Sequence, residues 1–132
     1  MNRAFCMMMV LFVFGCIDLQ SGKTDITPSR IVVGGLYATK WDDGKFRIIK
    51  VLALDSETAH LRLYAEKFDR VSETIDSEQL TLGDVFGDGP VGLGHFPVAK
   101  SSFFNEERQF LKKEEVKESE LDGFRTYMEA TQ

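Results

Sequence analysis

His60 and His95 are the residues of this 132-residue chain best suited to acid–base work, because imidazole changes charge near neutral pH. Neither stands at a zinc-site spacing from a cysteine, a second histidine or a carboxylate cluster, so structural or surface roles are expected for both. The carboxylate pairs Asp42-Asp43, Glu106-Glu107 and Glu114-Glu115 are neighbours in sequence, whereas catalytic carboxylates must converge across a cleft. No G-x-S-x-G elbow is present, and the only cysteines are Cys6 and Cys16. Gly87-Asp88-Gly89-Pro90-Val91-Gly92 matches the glycine pattern of dinucleotide sites, but Pro90 interrupts it and no crossover unit surrounds it. Asp84 and Asp88 miss the ligand spacing of a calcium loop. No catalytic residue, metal ligand or cofactor is therefore expected. The enzyme reading, an envelope hydrolase or transferase using His60 or His95 with nearby carboxylates, is kept as the alternative.

Binding chemistry is better represented. Trp41, Phe46 and Tyr64, joined by Tyr37 and Phe68, are the aromatic constellation with binding potential. Rings that converge can box a cation or stack a planar or sugar ligand, because aromatic faces carry negative charge density. The favoured reading of the same rings is that they plug a small barrel or pack under the C-terminal segment, since small barrels are filled by side chains. His60 and Arg62 share the alternating face of Tyr64, so the candidate binding residues are Trp41, Phe46, His60, Arg62 and Tyr64.

The elements that must position them begin at residues 31–68. Asp43-Gly44 is a hairpin signal between two β-rich runs, residues 36–41 and 46–54. In the first, Tyr37, Thr39 and Trp41 share one face and Leu36 and Ala38 the other. The second is nearly continuous in apolar character, with Arg47 and Lys50 as its only charges, which predicts a strand covered on both sides or strongly bent. A break at residues 55–58 leads to a third strand, in which Ala59, Leu61, Leu63 and Ala65 alternate with His60, Arg62, Tyr64 and Glu66. The aliphatic set is core; the polar set must meet solvent, a covering element or a ligand.

Residues 41–46, the long second strand and Tyr64 in the third resemble the Tudor-type SH3-like small β-barrels, over residues 31–82. That resemblance implies a mainly β fold with aromatic side chains gathered at one end. Residues 41–68 together with Glu120-Leu121-Asp122-Gly123-Phe124 also look like a family of uncharacterised bacterial proteins with the same core and a C-terminal Glu-Leu-x-Gly-aromatic segment. No activity comes with that likeness.

Beyond the third strand, residues 71–82 suit a short strand or 3₁₀ turn, and residues 83–97 a loop with one possible hairpin. The last third is charge-rich around Phe103, Phe104, Phe110, Leu111 and Val116. Ser119-Glu120-Leu121-Asp122 reads as a capping box, followed by Leu121, Phe124 and Met128 at helical spacing, so a short terminal helix laid on the barrel is expected. The predicted organisation is a barrel core over 31–82 and a C-terminal extension over 83–132, together one domain.

Residues 1–15 read as an export signal, with Arg3 as the positive n-region and residues 4–14 as an apolar run. Eleven apolar residues are far short of the roughly 20 a spanning helix needs. Val13-Phe14-Gly15-Cys16 resembles a bacterial lipobox, which implies a diacylated Cys16 at the mature N-terminus; an uncleaved anchor and a small-x-small cleavage site are the alternatives. Residues 16–30, polar with Gly22 and Pro28, are expected to form a tether spanning on the order of 20 Å. The expected protein is thus an exported, membrane-anchored interaction module of the bacterial envelope. Its partners would be the membrane through the lipid and a protein or wall polymer. A net charge of −5, one unit more negative without Arg3, makes nucleic acid a poor partner. Mass spectrometry of the mature protein should find N-terminal lipid on Cys16, whereas a chain beginning at Met1, or a soluble one beginning after Gly22, would refute lipidation.

Overall fold

The computed structural model describes residues 30–132, so the signal, Cys16 and nearly all of the tether lie outside the described residues. The protein is mainly β: a five-stranded antiparallel sheet with one short C-terminal helix. The strands are β1 (Gly35–Lys40), β2 (Phe46–Leu54), β3 (Thr58–Phe68), β4 (Leu93–Ala99) and β5 (Arg108–Lys113), and the helix is α1 (Asp122–Ala130). Their order in the sheet is β4-β3-β2-β1-β5. The first four form a meander, and the fifth returns to pair with the first.

The turns are made by the residues that specify them. Gly44 takes φ of 78°, and the Trp41 amide donates to the Lys45 carbonyl at 2.9 Å, closing the β1–β2 hairpin. Between β2 and β3, Asp55 Oδ1 accepts from the Glu57 and Thr58 amides at 3.0 and 2.7 Å. Such a side-chain-mediated turn explains why Asp55 is tied in place before any partner of its second oxygen is considered.

Burial follows the alternation read from sequence. Tyr37, Ile49, Val51, Ala59, Leu61 and Leu63 form one apolar cluster, closed by Phe103 from beyond β4. Leu36, Ala38, Ile48, Tyr64 and Leu111 belong to a second, over which Val71, Ile75, Leu80 and Leu82 pack. Neighbours in β1 and β2 thus alternate between clusters, so the middle of the sheet is buried on both faces. Residues 71–82 supply the second cover and include one 3₁₀ turn (Ser77–Gln79).

Two strands come from the stretch assigned to loop and extension. β4, LGHFPVA, contains Gly94 and Pro97, residues that argue against a central strand. The structure places it at the sheet edge, where Pro97 sits opposite His60 and needs no second strand partner. β5 is flanked by charges, and its apolar Phe110 and Leu111 point to different clusters, so no alternating pattern marks it. The sheet therefore extends well past residue 82. Pairing of β5 with β1 is locked at Gly34, whose φ is 80°. A Cβ there would lie 2.0 Å from the Glu114 carbonyl oxygen.

The capping residues also differ from expectation. A 3₁₀ turn (Glu118–Leu121) precedes α1, and the Lys117 amide donates to Glu120 Oε2 at 2.8 Å. Ser119 does not cap the helix; Glu120 turns inward because its carboxylate has buried partners. Among the described residues no helix is long and apolar enough to cross a membrane.

Ending the chain at Lys100 removes β5 and Phe103, which is wholly buried against Tyr37. That truncation is expected to abolish cooperative thermal unfolding, because a domain this small has little burial to spare. Cooperative melting at the parent temperature would show that the first four strands suffice.

Candidate functional site

Three groups of side chains carry the chemistry of the domain, and the sheet separates them. The first surrounds Lys50. In the middle of β2, Lys50 is 2% exposed. Its ammonium lies 3.0 and 3.1 Å from the two Glu120 oxygens and donates to the Glu115 carbonyl at 2.7 Å. Tyr64 reaches Glu120 Oε1 at 3.4 Å, and Arg62 reaches the Glu120 carbonyl at 3.4 Å. Glu114 accepts from the hydroxyl of Ser77 and lies 3.2 Å from Lys112. Burial pushes the Tyr64 hydroxyl up to about 12, with Glu120 adding to the rise and Ser77 and Arg62 opposing it. Burial also raises Glu114, but hydrogen bonds from Ser77 and Lys112 outweigh it and hold the carboxylate below its usual range. These residues line a cleft of about 510 Å³. Its charges already satisfy one another, so its evident task is to fasten residues 114–120 to the sheet.

The second group is a relay of three. Asp55 Oδ2 lies 2.8 Å from His60 Nε2, and His60 Nδ1 lies 2.9 Å from His95 Nε2. The hydrogen bond from His60 leads the causes that lower Asp55 to about 2, the Glu57 and Thr58 amides following. His60 is fully buried, and both of its ring nitrogens are engaged. It therefore has no nitrogen free to take a proton from a substrate. His95, on β4, is partly exposed, and burial followed by the nearby His60 lowers its pKa.

The third group is the mouth around Trp41. Trp41 is 46% exposed and Leu93 50%. Together with Ile49, Leu63, Phe96 and Val98 they wall an apolar cavity of about 300 Å³. Arg47 lies over the Trp41 ring at 4.9 Å and is fixed there by donating to the Tyr64 and Val91 carbonyls at 2.8 Å. A neighbouring cleft of about 550 Å³ shares Thr39, Trp41 and Glu106 and adds Lys40, Asp42 and Glu107. Glu106 pairs with Arg108 at 3.1 Å. Asp42 and Glu107 have no ion-pair partner among the described residues.

The expected aromatic convergence does not form. Tyr37 is a core residue between Phe103 and Phe110. Phe46 and Phe68 are cross-strand neighbours in the second cluster, to which Tyr64 also belongs. Trp41 stands on the opposite face with Ile49 and Leu63. The physical reason is strand pleating: Trp41 shares the face of Tyr37, whereas the hairpin places Phe46 opposite Lys40. His60, Arg62 and Tyr64 do share a face, but His60 joins the relay while Arg62 and Tyr64 meet Glu120. Sequence reading missed Glu120 and Asp55 as partners. A lysine alone in a nearly continuous apolar strand was the visible sign that some carboxylate must reach Lys50. Among the described residues no group of three or more His, Cys, Asp or Glu is placed to hold a metal ion.

Glu120→Ala removes the close carboxylate of the buried Lys50 ammonium and leaves it only Glu114 at 3.9 Å, and denaturant unfolding should show a loss of about 3 kcal/mol. The double change Lys50→Met with Glu120→Leu should recover most of it. A single-variant loss under about 1 kcal/mol would mean that water replaces Glu120 and that the pair fastens nothing.

No family model, curated protein or solved structure matches the chain.

Proposed function

We propose that the protein is a small binding module whose recognition surface is the Trp41 mouth. The observation that carries this reading is a half-exposed tryptophan walling an apolar cavity that opens at the sheet end. A folded domain gains by covering such surface, and a bound partner would cover it. The Lys50–Glu120 cleft is a poorer candidate, since a ligand there would have to break ion pairs already made. The relay is poorer still for catalysis, with His60 sealed from substrate.

The partner that fits is a protein segment presenting an apolar or aromatic side chain beside basic ones. The apolar side chain would fill the cavity against Trp41 and Leu93, and the basic neighbours would meet Asp42 and Glu107 on the rim. The Tudor-type SH3-like reading agrees with this arrangement: a small barrel needs its last strand to return beside its first, and β5 pairs with β1. Lipidation of Cys16 and export complete the proposal, with residues 16–30 holding the module at the envelope membrane within reach of such partners.

Anisotropy of dye-labelled peptides tests the surface. Basic peptides carrying one aromatic side chain should bind saturably, and acidic peptides of equal apolar content should not. Trp41→Ala should remove that binding while leaving stability within about 1 kcal/mol, because half the ring is already in water. A stability loss above about 3 kcal/mol would make Trp41 a core plug and reject the surface.

A further inference from the structure

Helix α1 reaches the sheet at the histidine pair. Phe124 and Tyr127, one turn apart, set their rings against His60 at 4.6 and 5.2 Å, and Tyr127 stands 5.3 Å from His95. Fit is close at the start of the helix, where a Cβ on Gly123 would come within 2.6 Å of the His95 Cβ. The remaining charges of this helix face outward: Arg125 pairs with Asp122 at 3.6 Å and with Glu118, all three well exposed. Glu129 is exposed as well. The docking of α1 therefore depends on two imidazoles whose own contact depends on protons.

The hydrogen-bond inventory of the pair is short. Asp55 is acceptor only, so His60 Nε2 must carry a hydrogen. With both rings neutral, His60 Nδ1 accepts and His95 Nε2 donates. With one added proton His60 donates at both nitrogens, and His95 Nε2 becomes the acceptor. With two added protons both facing nitrogens carry hydrogens, and a separation of 2.9 Å cannot hold two N–H groups pointing at each other. The second proton must break the contact. Among the described residues Asp55, from the β2–β3 turn, is the anion hydrogen-bonded to the pair, and it touches His60 rather than His95. Arg62, the cation of β3 nearest to β4, donates to the Gly94 carbonyl at 3.2 Å beside His95.

We propose that α1 is a proton-released cover: at neutral pH the His60–His95 contact holds it on the sheet, and acidification detaches it and bares the His60–Arg62 face of β3. The sign follows from linkage. Docked, His95 resists protonation, whereas the released ring protonates at its ordinary value. The released state therefore binds more protons, and docking is full above the ordinary histidine pKa and weakens as pH falls below it. An ordinary value near 6.5 limits the shift in favour of release to about 30-fold at pH 5. This device rests on the relay alone and stands whether or not Trp41 binds a partner.

Hydrogen exchange on the full-length protein tests it, with rates corrected for the intrinsic pH dependence of exchange. Protection of residues 124–130 should fall by about tenfold or more from pH 7.5 to pH 5, relative to residues 48–52 of β2. His95→Gln, whose amide can still donate to His60 but cannot titrate, should keep α1 protected at pH 5. Equal protection of α1 at both pH values in the parent, or an equal loss in the variant, overturns the proposal. Ring-nitrogen NMR of the parent reads the same device without a substitution, should the variant not dock α1 at pH 7.5. Double protonation should appear only as the α1 resonances move, and two fully protonated rings beneath an unmoved α1 would overturn the proposal.

Discussion

A strand buried on both faces must be covered twice, and the architecture of this domain follows from meeting that constraint in a short chain. β2 sends Ile49 and Val51 to one cluster and Ile48 to the other, with Lys50 buried among the covering segments. One cover comes from Phe103 with Ile31 and Phe110, the other from residues 71–82. Neither could persist without the sheet beneath it, and the sheet could not keep its middle strand dry without both. Lys50 makes the dependence sharper, because a buried ammonium requires a carboxylate and the nearer of its two, Glu120, lies seventy residues further on. The ion pair is thus less a source of net stability than a means of fixing where the C-terminal segment lies.

That fixing determines which polar groups remain available. Arg62 and Tyr64 end on Glu120, and His60 is enclosed by Asp55, His95 and the rings of α1. The polar face of β3 is consequently spent on holding the chain's end in place. Trp41 differs because the hairpin projects it beyond the covered middle of the sheet. Its inner neighbours, Ile49 and Leu63, are core, and its outer ones, Asp42 and Glu107, are in water. A gradient from apolar floor to acidic rim within one side chain's length suits recognition of a segment that is itself apolar and basic.

Much of the fold was legible in the chain. Residues 36–41 and 59–66 alternate with a period of two, residues 46–54 form a nearly continuous apolar run, and Asp43-Gly44 admits the tight turn the structure uses, so three strands could be read directly. The placement of Trp41 on the face of Tyr37 was likewise legible, and it is what makes Trp41 part of an open mouth. β4 and β5 were hidden because edge strands tolerate Gly94, Pro97 and flanking charge that central strands exclude. The gathering of rings failed for a different reason: resemblance to a barrel type suggested convergence, while pleating assigned Phe46 and Tyr64 to the other side. Glu120 and Asp55 were invisible as partners since long-range pairing leaves no local pattern, even though Lys50 announced that a partner must exist.

Trp41 is the only tryptophan in the chain, so its fluorescence reports on the open mouth without any substitution. Acrylamide quenching of the native protein, read beside the emission maximum, addresses the central claim directly. A solvent-relaxed emission that acrylamide quenches readily, and that becomes protected when a basic aromatic peptide is added, is the result this structure predicts. A blue-shifted emission resistant to acrylamide in the free protein would place the indole in the core and contradict it.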